Sequence, residues 1–152
     1  MLFAIGKLFH MLMGYVVATL AASAFLNLLF LGLAGFTAEE AGWVASSGSM
    51  IFSIPFVALF VSYFAFIPGL VVMLLAEMTG KRDWLFHALG GALVGVAVVG
   101  YFYQVGEPSN ELLISGAPIA VIGSGIVGGL AYWFVTGRFA GNWREAKAPP
   151  VR

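Results

Sequence analysis

The chain has no cysteine and very little charge, and these two absences exclude several classes of protein. Without cysteine there is no disulfide, no redox-active thiol pair and no thiolate metal site to consider. Charged residues make up 9% of the 152 positions, whereas about 25% is usual in a soluble globular domain. Hydrophobic residues make up 61%. The composition therefore predicts an integral membrane protein.

The few charged residues divide the chain into four long uncharged runs. Because about 20 apolar residues cross the hydrocarbon core as a helix, each run accommodates one span. We predict an all-α integral membrane protein, a four-transmembrane-helix bundle, with one domain over residues 1–137 and a short basic tail over 138–152. The predicted spans are about 9–33, 50–76, 84–103 and 117–136. A cleaved signal peptide is the alternative for the first run. Apolar sequence continues well beyond the small residues Ala22–Ala24, so we expect this span to be retained.

The charged residues are distributed unequally over the two sides of the predicted spans. If the spans cross in turn, all seven basic residues fall on one side: Lys7, Lys81, Arg82, Arg138, Arg144, Lys147 and Arg152. Four acidic residues fall on the other side: Glu39, Glu40, Glu107 and Glu111. The positive-inside rule then predicts that both termini are cytoplasmic, N-in/C-in. The short tail suits anionic headgroups better than nucleic acid, so we expect no nucleic-acid partner.

The segment "IAVIGSGIVGG", Ile119 to Gly129, contains the G-x-G-x-x-G pattern of dinucleotide-binding folds. That pattern requires a preceding strand, and a second strand that ends in an acidic residue about 20 positions later. Glu145, at the matching distance, stands in the polar tail, so we expect no nucleotide ligand. In a transmembrane helix, small residues instead let two backbones approach closely. We predict helix-packing roles for five glycines: Gly14, Gly91, Gly95, Gly125 and Gly129.

The second uncharged run has two unusual features. It is preceded by "TAEE", a capping box formed by Thr37 and Glu40, which predicts a short surface helix over Ala38–Ala45. Its later part contains two prolines, Pro55 and Pro68, each of which removes one hydrogen bond from a helix. Broken helices can mark transport sites, but prolines are also common in membrane helices, so both interpretations stay open.

Within the predicted spans the polar residues are few. No Asp, Glu, Lys or Arg lies deep in a span, which argues against an ion pump or a charged relay. In the first span Tyr15, Thr19, Ser23 and Asn27 recur at four-residue intervals. This stripe predicts a surface that packs against another helix, and the alternative is a surface that lines a substrate path.

The two histidines share a local motif. "LFHMLMGYVV" from Leu8 and "LFHALGGALV" from Leu85 both contain L-F-H-x-L-x-G, with each histidine about one turn inside the basic side. The match raises the hypothesis of two parallel helical hairpins related by a pseudo-twofold axis. Two interpretations follow for His10 and His87. Each is an interfacial residue bonded to a carbonyl or to water, or the two are axial ligands of haem b between facing helices.

Two stretches carry a resemblance to other proteins. "YFAFIPGLVVMLLAEMTGKRDW" and "GGLAYWFVTGRFAGNWR" resemble parts of small four-span bacterial inner-membrane proteins of unassigned function. They cover the second half of span two, the following loop and the end of span four. The resemblance implies a bacterial origin and four spans, and it implies no chemistry.

The sequence contains no Ser/His/Asp set and no acidic pair at membrane depth. We therefore predict no enzyme, no catalytic residue, and no metal or cofactor. The expected function is a non-enzymatic accessory or scaffold subunit of a membrane complex. Its partners would be the lipid bilayer and either other membrane subunits or further copies of the chain. The alternatives are a small haem electron-transfer bundle on His10 and His87, and a minimal small-molecule transporter that uses the first two spans.

Overall fold

The structure is a computed structural model that describes residues 2–33, 37, 39–40, 42–43, 48–106 and 116–141. These residues contain four long α-helices: α1 (Leu2–Leu33), α2 (Ser49–Thr79), α3 (Trp84–Val105) and α4 (Ala117–Val135). A short 3-10 turn, Gly137–Phe139, follows α4. All four helices are long and apolar enough to cross a membrane, so the chain is a multi-pass membrane protein.

Glycines mark three of the helix boundaries. Gly48 before α2, Gly80 after α2 and Gly116 before α4 have φ angles of 79°, 67° and 72°. A side chain at such a position would strain the backbone, because L-residues rarely adopt this left-handed conformation. At Gly80 the helix stops, and the N–H of Lys81 donates to the Ala76 carbonyl over 3.1 Å. Residues 81–83 then lead directly into α3, so α2 and α3 are joined by a tight turn.

The predicted capping box at Thr37 is confirmed. The backbone N–H and the hydroxyl of Thr37 donate to Oε2 of Glu40 over 2.9 and 2.8 Å, and the Glu40 N–H donates back to the Thr37 hydroxyl over 3.3 Å. These bonds favour the carboxylate and lower the pKa of Glu40 below its usual 4.5. Residues 39–40 and 42–43 are helical, and Trp43 is exposed. The rest of the predicted surface helix lies outside the described residues.

The helix contacts run in sequence: α1 packs on α2, α2 on α3, α3 on α4, and α4 returns to α1. The α3–α4 contact is the most extensive and depends on glycine. A Cβ atom on Gly91 would collide with the carbonyl oxygen of Gly125, and one on Gly129 would collide with that of His87. A Cβ on Gly95 would lie 2.8 Å from the Cα of Ile122. The two backbones therefore touch, which residues with larger side chains would prevent.

Contacts between α1 and α4 also depend on small residues. A Cβ atom on Gly128 of α4 would lie 3.1 Å from the carbonyl oxygen of Ala18. Near the end of α4, the side chain of Thr136 occupies the space that a Cβ on Gly14 would need. Each of the five glycines predicted to pack thus faces a residue beyond its own helix.

Contacts between α1 and α2 have a different chemistry. The Tyr15 hydroxyl donates to the Ser62 carbonyl over 2.6 Å, and the Ser23 hydroxyl donates to the Ile54 carbonyl over 2.7 Å. The Ser53 hydroxyl of α2 donates to the side-chain carbonyl of Asn27. Three of the four residues in the predicted polar stripe of α1 therefore bond to α2, as expected for a packed surface.

Candidate functional site

A polar cluster at one end of the molecule joins α1, α2 and the segment after α4. The Lys7 ammonium of α1 lies 2.6 Å from Oε2 of Glu77, near the end of α2. The same oxygen accepts a 3.0 Å hydrogen bond from the backbone N–H of Gly141. The four-residue spacing of Glu77 and Lys81 favours a helical ion pair, but the structure pairs Glu77 with Lys7 instead. The reason is geometric: Lys81 lies beyond Gly80, where the helix has already ended.

Three further hydrogen bonds hold the end of α4 against its neighbours. Arg82 Nε donates to the Ala140 carbonyl over 2.9 Å, and Trp133 Nε1 donates to the Arg82 carbonyl over 2.7 Å. The Thr136 hydroxyl donates to the His10 carbonyl over 3.0 Å. The α2–α3 turn and the start of α1 are thus both fixed to the segment that follows α4. Of the predicted basic tail, only residues 138–141 are described.

His87 lies inside this end of the molecule. Its side chain is 2% exposed, its ring stacks on Tyr132 with centroids 5.8 Å apart, and Nδ1 lies 3.0 Å from the Asp83 carbonyl. That carbonyl can only accept, so Nδ1 is the donor in this hydrogen bond. Among the residues that the structure describes, Nε2 has no hydrogen-bond partner, and the ring tip faces Gly137 so closely that a Cβ there would lie 2.5 Å from Nε2.

His10 lies in different surroundings. Its side chain is exposed, and its ring meets that of Phe139 edge-on with centroids 6.0 Å apart. His87, in contrast, is enclosed between Tyr132 and Gly137, with no space beside Nε2 for a porphyrin. Haem with two axial histidines requires both imidazoles on opposite faces of one flat ring. The structure does not bring the two histidines together in that way, so their placement gives the haem alternative no support.

A cavity of about 90 Å³ lies between the four helices. Most of its wall consists of small or apolar residues such as Ala18, Gly69 and Gly128. The polar residues in the wall are Tyr15, Thr19, His87 and Tyr132. The Tyr15 and Thr19 hydroxyls already donate to backbone carbonyls. An apolar cavity of roughly 150 Å³ is needed to hold benzene, so this one accommodates only a very small apolar molecule.

A second, larger space opens between α2 and α3. It has a volume of about 850 Å³ and lies next to Pro68. Aromatic side chains form much of its wall: Tyr15, Tyr63, Phe64, Phe66 and Tyr101. Its volume falls within the range of roughly 300–1,000 Å³ that is usual for small-molecule sites. This groove has room for a small apolar molecule.

Two features of the polar end were not predicted from the sequence. The Lys7–Glu77 ion pair joins residues 70 positions apart, and no local pattern reveals such a contact. The Arg138 guanidinium lies over the rings of Phe134 and Phe139, 5.0 Å from each centroid. The four-residue spacing of Phe134 and Arg138 at a helix end was the available signal for that contact.

In the described part of the chain, no three His, Cys, Asp or Glu side chains lie close enough together to hold a metal ion. In comparisons with known proteins, no protein-family model, no curated protein and no solved structure matches this chain.

Proposed function

We propose that this protein is a non-enzymatic accessory or scaffold subunit of a complex in a bacterial inner membrane. The proposal rests on the hydrogen bonds that polar side chains inside the protein form with neighbouring helices. The hydroxyls of Tyr15 and Ser23 are bound to carbonyls of α2, and the amide of Asn27 is bound by Ser53. Side chains bound in this way hold helices together and are not available to a substrate.

The helix contacts support a four-helix bundle. The contacts run from each helix to the next and back from α4 to α1, and backbones touch at Gly91 and Gly125. The grouping of Lys7, Lys81, Arg82 and Arg138 at one end supports an orientation with that end in the cytoplasm. Reporters fused after Lys147 or inserted at Lys81 should therefore be cytoplasmic, and a reporter near Glu39 external. An external carboxyl terminus would contradict the orientation.

The surface available to a partner is the outer face of α2. Of the four helices, α2 buries the smallest fraction of its residues. Large side chains three or four positions apart project from it: Phe52, Phe56, Phe60, Tyr63 and Ile67, all more than half exposed. The Phe56 and Phe60 rings contact each other edge-on, with centroids 5.2 Å apart. A rigid aromatic face of this kind suits contact with another transmembrane helix, from a different subunit or a second copy.

Site-specific photocrosslinking tests this assignment. A photoreactive phenylalanine analogue at position 56 should give a discrete cross-linked protein band in native membranes. The same analogue at Phe9, which is equally exposed on α1, serves as the matched control and should react with lipid alone. Equal cross-linking from both positions, or no protein product from position 56, would contradict a partner surface on α2.

A minimal transporter remains a second candidate because of the α2–α3 groove. The groove lies beside Pro68 and reaches Tyr15, which also lines the central cavity. Reconstituted vesicles that take up a small apolar dye faster than protein-free vesicles would favour this function. A visible spectrum of the same preparation tests the haem alternative. A Soret band lost in both His10→Ala and His87→Ala would support it, and a colourless preparation would leave the histidines structural.

A further inference from the structure

The Arg138 side chain at the basic end of α4 is held by aromatic rings. Its Cζ atom lies 5.0 Å from the ring centroids of both Phe134 and Phe139. Within the residues that the structure describes, Arg138 forms no ion pair, and the carboxylate of Glu77 is engaged by Lys7 and by the Gly141 N–H. Cation–π contacts with both rings thus hold the guanidinium at this position, and its N–H donors, which form no ion pair with any described residue, can bind a ligand.

The surroundings of Arg138 combine a cation with lipid-facing apolar surface. Phe134 and Phe139 are 62% and 45% exposed, so both rings face outward from the helices. The exposed ring of His10 meets Phe139 at a centroid distance of 6.0 Å. We call these four residues, His10, Phe134, Arg138 and Phe139, the Arg138 patch. The bond from Thr136 to the His10 carbonyl holds the two sides of the patch together, so the site is formed before a ligand arrives.

We propose that the Arg138 patch binds the phosphate of an anionic phospholipid, whose chains lie against Phe134. A guanidinium matches the geometry of phosphate because it can donate two parallel hydrogen bonds. Charge complementarity favours an anionic lipid over a zwitterionic one. The described residues at this end include four basic side chains, Lys7, Lys81, Arg82 and Arg138, and two acidic ones, Glu77 and Asp83. The exposed rings supply the apolar contact that a free phosphate would not use.

Native mass spectrometry of the full chain in mild detergent tests the proposal. The protein is titrated with phosphatidylglycerol or with phosphatidylcholine that carries the same acyl chains. We expect tighter binding of phosphatidylglycerol, and a roughly tenfold loss of that affinity in Arg138→Gln, the size expected when hydrogen bonds from a charged donor to phosphate are lost. Arg138→Lys, which keeps the charge and loses the planar fork, should lose about twofold.

Lys81→Gln is the matched control, because it removes the same charge from the same end without changing the patch. Its affinity for phosphatidylglycerol should stay within about twofold of the original, because Lys81 lies outside the patch and a mild-detergent micelle lacks the anionic membrane surface that attracts any nearby basic residue. An equal loss in Lys81→Gln and Arg138→Gln would show general attraction to a basic surface and would overturn the site. Equal binding of the two lipids would overturn it as well. Release of phosphatidylglycerol by millimolar inorganic phosphate would identify free phosphate as the ligand and overturn the lipid assignment.

Discussion

The α3–α4 contact and the α1–α2 contact both join helices that follow each other in the chain, but they are held by different forces. Between α3 and α4 the backbones touch at Gly91 and Gly125, with no side chain between them. Between α1 and α2 the helices are joined by bonds from Tyr15 and Ser23 to carbonyl groups.

The two contacts differ in how well they tolerate substitutions. Close backbone packing depends on shape, so even one added methyl group must displace a helix. An interhelical hydrogen bond in a membrane contributes about 0.6 kcal/mol on average, and helices can stay together without any single one. We therefore expect the α3–α4 contact to be the more sensitive to substitution, and the predictions below test this from the largest effect to the smallest.

The largest effect is expected from leucine at the glycines of the α3–α4 contact. Gly95→Leu and Gly125→Leu should each lower the free energy of unfolding by about 3 kcal/mol, because the side chain has no space between the backbones. Gly100→Leu on α3 is the control, since nothing lies within 4 Å of a Cβ at that position. Thermal unfolding in detergent gives the comparison. Unchanged stability in both interface variants would show that these glycines face lipid.

The next effect concerns the Lys7–Glu77 ion pair. Glu77→Gln should lower the free energy of unfolding by about 1–2 kcal/mol, because it removes the carboxylate that forms an ion pair with the partly buried Lys7 ammonium. Lys81→Gln should change the stability little. A double-mutant cycle with Lys7→Gln and Glu77→Gln measures the coupling directly. Coupling of Glu77 to Lys81 in place of Lys7 would contradict the observed pairing.

A smaller effect is expected from the buried hydroxyl between α1 and α2. Ser23→Ala removes the bond to the Ile54 carbonyl and should cost about 1 kcal/mol. Ser124→Ala is the matched control, since this buried hydroxyl bonds to the Val121 carbonyl within its own helix. Chemical denaturation in detergent can resolve the two variants. A loss from Ser23→Ala as large as that from Gly95→Leu would remove the contrast between the two contacts.

The smallest effect lies outside both contacts, at the Thr37–Glu40 capping box. The pKa of Glu40 is lowered from 4.5 by the hydrogen bonds of Thr37, so the folded state favours the carboxylate. The stabilisation is present above the ordinary value and is lost as the pH falls through the lowered one. Trp43 fluorescence should therefore change on acidification below about pH 4.5, while Glu40→Gln should show no such step. A change in helix packing over the same range would point to other groups.

Much of the fold follows from local properties of the sequence. Apolar runs of sufficient length predict four helices because a membrane leaves backbone groups no water to bond to. The capping box at Thr37 can be predicted from four consecutive residues, and the end of α2 can be predicted from Gly80 alone. The polar stripe of α1 could also be predicted from the spacing of its residues, since residues four positions apart share one side of a helix.

The site was harder to predict, because it depends on which helices contact each other and on their relative positions along the helix axes. The shared motif suggested that His10 and His87 face each other, yet His87 is buried against Tyr132 while His10 is exposed beside Phe139. Identical neighbours in the sequence do not give identical surroundings, because other helices enclose the His87 side chain and leave the His10 side chain at the surface. The Lys7–Glu77 pair was missed for the same reason.

The sequence by itself therefore determined the membrane setting, the number of long helices and their glycine and polar faces. These properties depend on residues close together in the chain. Only the tertiary structure decided that Gly91 meets Gly125, that Glu77 binds Lys7 in preference to Lys81, and that Arg138 lies over two exposed rings. Each of those contacts depends on the rotation and height of one helix relative to another, and both are set by the packing of the whole chain.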